Sequence, residues 1–123
     1  MNPDQKILVI DDEPALLKIL GKFLQKLKVK SETAENGDKG LEIFHKHPES
    51  FGAVIIDYNL PGKSSKEILT DILNENPSIK IVLSTGFSVS EISKDFAKSG
   101  INVTNTLQKP FTFKDFKDLV NIL

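Results

Sequence analysis

Residues 6–12 read KILVIDD, an almost wholly apolar run that stops abruptly on two aspartates. The pattern returns at 51–56 as FGAVII, ending on Asp57, and at 80–84 as KIVLS, ending on Thr85, so three short runs rich in β-branched residues each close on a polar group. A continuous apolar run of this length, without alternation, is what a strand covered on both faces requires. Between these runs the period changes. Pro14 to Leu27 carries Leu16, Leu17, Leu20, Phe23, Leu24 and Leu27 at helical spacing, with Pro14 in the first turn, where a helix tolerates it.

Working outward, Lys30 to Ala34 reads as a weaker strand. Asn36-Gly37 opens a second helix to about His47, closed by Pro48. Asn59 to Lys63, with Pro61-Gly62, is loop. Ser64-x-x-Glu67 forms a capping-box pattern for a helix to about Asn76. Ser88-x-x-Glu91 repeats that pattern before a helix to Ser99 with Gly100 as its stop, and Val103 to Gln108 makes a last, weak strand. Thr112 then caps a terminal helix through Leu123. Strict alternation of strand and helix predicts a doubly wound α/β domain, its five strands parallel and its helices on both faces.

The 123 residues suit one domain spanning 1–123, and a chain of this size buries enough surface to fold without disulfide or zinc. Cysteine is absent, which removes thiolate metal sites and fits a reducing cytoplasm. No apolar run is long enough to span a membrane, and MNPDQK lacks the apolar core of a signal peptide. All 16 basic residues are lysine and the net charge is −1, so neither a basic surface nor an arginine fork is on offer for direct nucleic-acid binding.

In open parallel sheets the working site lies beyond the carboxyl ends of the strands. The residues standing there are Asp11 and Asp12, then Asp57, Thr85 and Lys109. Carboxylates gathered at one rim repel, by about 4 kcal/mol for a pair 4 Å apart at an effective dielectric of about 20. Lys109 or a divalent cation must offset this, and all-oxygen ligands suit Mg²⁺. Asp57, alone at the end of the most apolar strand, is the candidate nucleophile for accepting a phosphoryl group as an acyl phosphate. Thr85 can donate to a phosphoryl oxygen and Lys109 can supply a point charge. Each residue alone has a bland reading as a turn or cap residue, and His45 and His47 read as surface side chains. The combination after successive strands is specific.

KILVIDDEP (6–14), AVIIDYNLPG (53–62), KIVLSTG (80–86) and LQKPF (107–111) together resemble the receiver domain of two-component response regulators, in order and over essentially the whole chain. The resemblance implies a flavodoxin-like sheet of order 2-1-3-4-5. It also implies that Asp57 is the phosphorylated residue. Mg²⁺ would be held by Asp12, Asp57 and the backbone carbonyl of Asn59, with Asp11 acting through a water. Thr85 and Lys109 would contact the phosphoryl group, and Thr85 would move inward on activation. The donor would be a phosphohistidine on a histidine kinase or a histidine phosphotransfer protein. Such a domain turns over no dedicated substrate, catalysing only its own phosphorylation and dephosphorylation.

Two positions depart from the family's pattern. Where many members carry a switch aromatic, three residues before the lysine, this chain has Thr106, so the pocket there is expected to be partly empty or filled by Phe87 or Leu107. After Pro61, Gly62-Lys63-Ser64-Ser65 replaces the usual methionine and Asp-Gly. LSTGF with a non-aromatic at 106 also resembles receivers attached to hybrid sensor kinases. A haloacid-dehalogenase-like phosphatase would need a second acid at 59, where asparagine stands. A flavin-binding flavodoxin would need a phosphate cradle where Asp11-Asp12-Glu13 stands. Intact acids and lysine argue against a degenerate receiver used only for binding.

Overall fold

Each apolar run becomes a strand of one parallel sheet. The structure, a computed structural model, describes residues 1–87 and 89–123. The chain runs β1 (Lys6–Ile10), α1 (Pro14–Lys26), β2 (Ser31–Ala34), α2 (Gly37–Lys46), β3 (Phe51–Asp57), α3 (Ser65–Glu75), β4 (Lys80–Thr85), α4 (Val89–Lys98), β5 (Asn105–Gln108) and α5 (Phe113–Ile122). The strand order is β2-β1-β3-β4-β5, every pairing parallel, so the direction of winding reverses between β1 and β3. No described helix is long and apolar enough to cross a membrane.

The strands are apolar on both sides because helices cover both sides. Leu8, Ile10, Val54, Ile56, Ile81 and Leu83 point to one face, packing with Phe44, Ile68, Ile72 and Phe96 of α2, α3 and α4. Ile7, Val9, Ala53, Ile55, Val82 and Leu107 point to the other, against Leu17, Leu20 and Leu24 of α1 and Phe116 and Leu119 of α5. Fully burying one such side chain contributes about 1.5–3 kcal/mol, and this double core holds the strand ends in register.

The helix starts follow their caps. Asn36 accepts from Lys39 N at 2.8 Å, and Thr112 and Asp115 form a complete capping box. At α3 the Ser64 hydroxyl accepts from Glu67 N at 3.2 Å, but it also donates to Glu67 Oε1, so the return bond comes from the hydroxyl and not the backbone. The pattern expected at Ser88 lies outside the described residues. Asp57 and Thr85 are the last residues of their strands, not the first after them, and β5 begins two residues later than its apolar content suggested. There Thr104 Oγ1 accepts from Ile81 N, a side-chain bond standing in for a ladder bond.

Two helical glycines separate packing from propensity. A Cβ on Gly40 would stand 2.5 Å from Ile10 Cδ1, whereas one on Gly21 meets nothing within 4 Å. Gly21→Ala should therefore raise stability by about 0.5–1 kcal/mol in denaturant titration. Gly40→Ala should give no such gain, because pressing α2 against β1 offsets it.

Candidate functional site

The strand rows on the α1/α5 face end in charged residues. After Ile7 and Val9 comes Asp11, and after Ala53 and Ile55 comes Asp57. Ile10 pairs with Ile56, so these two acids leave the sheet side by side. Both are buried, Asp11 2% and Asp57 7% exposed, while Asp12 is exposed. Carboxylate oxygens of Asp11, Asp12 and Asp57 all lie within 4.8 Å of one another.

Lys109 is the counter-charge. Its Nζ donates to Asp11 Oδ2 at 3.0 Å and lies 3.7 Å from Asp57 Oδ1 and 3.8 Å from Glu13 Oε1. Its backbone N–H donates to Thr85 O at 2.8 Å, so β4 fixes where the lysine starts. Burial alone would lower the Lys109 pKa, but the hydrogen bond to Asp11 and the charges of Asp11, Asp57 and Glu13 raise it above its ordinary value. For Asp57 burial dominates and pushes the carboxyl up. Lys109 and the Asn59 N–H pull it down, and Asp11 and Asp12 push it up again. The Asp57 charge is therefore held at a cost.

The acids also shape their loops. Asp11 Oδ1 accepts from Glu13 N at 3.0 Å, and Asp57 Oδ1 accepts from Asn59 N at 3.3 Å. Both contacts to Asp57 fall on Oδ1. Among the described residues no hydrogen-bond donor reaches Oδ2.

The structure thus brings together Asp11, Asp12, Asp57 and Lys109, with Asn59 beside them. Thr85 is buried at the same rim, but its Oγ1 accepts from Phe87 N at 2.9 Å. Thr106 pairs with Leu83 on the α4-facing side of the sheet. Neither expected substitute fills that region. Leu107 packs on the opposite face, because adjacent strand residues point to opposite sides, and Phe87 is 60% exposed with its ring against Tyr58. A cleft of about 310 Å³ lies nearby, lined by Tyr58, Phe87, Glu91, Ile92 and Asp95. Sequence reasoning passed over Tyr58, whose ring also meets Phe96 at 5.9 Å, and Ser84, a hydroxyl inside an apolar run.

The donor set fits a small hard cation. Opposite ligands of Mg²⁺ stand about 4.2 Å apart, slightly less than the spread allowed here, which suits two direct carboxylates and a third acting through water. Asp11 is the natural third, since both its oxygens already have partners. Three carboxylates against one ammonium leave an excess of about two negative charges, which a divalent cation would balance.

A family model described as the response regulator receiver domain matches residues 7–121. The chain is 29% identical over 100 residues to the transcriptional regulatory protein ComA of Bacillus subtilis, covering 80% of this chain and 47% of ComA. It spans about half or less of the length of several curated relatives it matches. A response regulator receiver domain from Clostridium thermocellum superposes with a TM-score of 0.84 at 30% identity, covering 96% of this chain and 92% of that one. The response regulator TrrA of Thermotoga maritima, in complex with Mg²⁺–BeF, superposes at 0.79 with 30% identity, covering 96% and 97%.

Because burial raises the Asp57 pKa, the ionised carboxylate destabilises the fold near neutrality. Asp57→Asn in chelator at pH 7 should raise the thermal midpoint, modestly because solvent screens part of the effect. The folded protein binds the proton more readily than the unfolded chain, so wild-type stability falls as pH rises through this window. The gap between variant and wild type should close as pH falls through the raised pKa toward the ordinary 3.8.

Proposed function

The chain belongs to the response regulator receiver domain family, and from that premise we propose that Asp57 is its phospho-acceptor, charged from a phosphohistidine. The observation that carries this is the pairing pattern: Lys109 is committed to Asp11 while, among the described residues, Asp57 Oδ2 has no donor. That oxygen attacks phosphorus, the P–N bond of the donor breaks, and the electron pair returns to the imidazole nitrogen. Lys109 supplies positive charge to the incoming phosphoryl oxygens, and Thr85 offers its hydroxyl to another once it leaves the Phe87 N–H. Asp12, Asp57 and the Asn59 carbonyl would hold Mg²⁺, with Asp11 through water. Bound there, the cation would neutralise charge on the carboxylates and the phosphoryl group.

On this reading the chain, 1–123, is a single receiver domain working in the cytoplasm. A histidine kinase or histidine phosphotransfer protein is its phosphoryl donor. Its output partner is set by whatever it is joined to or docks on. Acetyl phosphate with Mg²⁺ should add one phosphoryl group, and Asp57→Asn should abolish the label in intact-mass spectrometry. Label persisting on that variant would remove the assignment. Independently, millimolar Mg²⁺ should raise the wild-type thermal midpoint by mass action, and much less that of Asp12→Asn. Equal shifts in both proteins would place the metal elsewhere.

The switch positions are Thr85 and Thr106. Threonine at 106 has no ring to exchange between two rotamers, so phosphorylation has little differential contact there by which to bias β5 and α5. Beryllofluoride should shift amide NMR signals most around Asn59 and Thr85. A response centred on 94–99 and 112–118 with the Thr85 loop quiet would contradict this.

A further inference from the structure

One polar group at this rim has no partner. The α1/α5-facing rows of the strands end in Asp11 just past β1, Asp57 on β3 and Ser84 on β4. Lys109 follows Leu107 beyond β5. Register sets Asp57 beside Ser84 and Ser84 beside Leu107. Ser84 is 3% exposed, and among the described residues its Oγ is the buried side-chain polar atom lacking a hydrogen bond. A buried hydroxyl in that state costs free energy, and alanine would serve packing better.

Its place explains the hydroxyl. β4 lies between β3 and β5, so a lysine rooted beyond β5 reaches Asp57 and Asp11 only by crossing β4. Ser84 is the last β4 residue on that face, since Thr85 points to the other. In the resting protein the Lys109 ammonium is bound to Asp11 at 3.0 Å and makes no hydrogen bond to Ser84. Phosphorylation takes the charge at position 57 from −1 to about −2 and pulls the ammonium back toward β3 and β4. An ammonium carries three donors, and the phosphoryl oxygens need not use them all.

We propose that Ser84 is a positioning residue for phosphoryl transfer: its buried hydroxyl accepts a hydrogen bond from Lys109 Nζ as the lysine turns from Asp11 to the phosphoryl group on Asp57. This rests on the reading of Asp57 as phospho-acceptor. The hydroxyl is idle at rest and engaged in transfer. Its loss therefore acts in opposite directions on resting stability and on rate, which a packing role would not do.

The test compares wild type with Ser84→Ala, Ser84→Cys and Ser84→Thr. It measures the thermal midpoint without phosphodonor and the initial rate of labelling by acetyl phosphate in saturating Mg²⁺. Ser84→Ala should keep or raise the midpoint yet label about ten- to a hundredfold more slowly, the loss expected for one hydrogen bond to a charged group. Ser84→Cys, similar in size but a weak acceptor, should label as slowly as alanine, and Ser84→Thr should return to within about twofold of wild type. Wild-type rates in the alanine or cysteine variant would overturn the proposal. So would a lowered alanine midpoint together with failed rescue by threonine. Absence of label on wild type itself would overturn the phospho-acceptor reading and this proposal with it.

Discussion

Three carboxylates held within 4.8 Å of one another are the constraint on which the rest of the molecule depends. In water such groups would move apart. Here two of them end rows of buried apolar side chains, and the strands cannot separate without opening both faces of the sheet. Repulsion of a few kcal/mol per close pair is small beside the burial that keeps Ile7, Val9, Ile55 and Val82 in place. One lysine then decides how the charge is shared. It bonds Asp11 and only approaches Asp57, so the deeper charge is neutralised locally while the second remains available.

The topology makes this arrangement accessible. Winding reverses between β1 and β3, and the crevice it leaves lies over the ends that carry the acids. Asp11 N donates to Ala34 O, and Tyr58 N donates to Ser84 O, so the chain stays pinned for one residue past the region where side chains alternate cleanly. The loops that follow are tied back by the acids themselves through Glu13 N and Asn59 N. A change of charge at Asp57 therefore bears at once on the backbone at 59.

Most of this was legible in the amino-acid sequence, for a physical reason. KILVI, FGAVII and KIVLS are short β-branched runs of the kind that strands buried on two sides require, and the polar residue after each marks where the apolar rows end. The weaker strands were less legible because they lie at the sheet edges: Ser31–Ala34 and Asn105–Gln108 each carry a single apolar residue, and β5 starts where Thr104 rather than an apolar residue makes the bridge. Sidedness was the part most easily misjudged. Leu107 was expected to fill space beside Thr106, yet neighbours along a strand face opposite ways, so it lies in the other core. Ser84 is masked in the sequence by Thr85, the hydroxyl that closes the strand. Its signal was present, as a hydroxyl at a position where Val82 and Ile55 show the row to be apolar.

The α4-facing side of the rim answers a different question, how a site built on strand ends meets the helices. Tyr58 follows Asp57 directly and points to the opposite face, where its ring packs on Phe96 at 5.9 Å and Phe87 at 6.4 Å. Phe96 is fully buried, with the Lys66 ammonium 5.5 Å from its ring centroid. Lys66 in turn pairs with Asp95 at 2.7 Å, joining α3 to α4. That exposed ion pair adds little by itself, but the ring it accompanies cannot shift without leaving a void. The residue next to Asp57 is thus wedged among packed aromatics, whereas Thr106 offers only a short side chain on β5. The aromatic packing beside Asp57 therefore extends from residue 58 to α4.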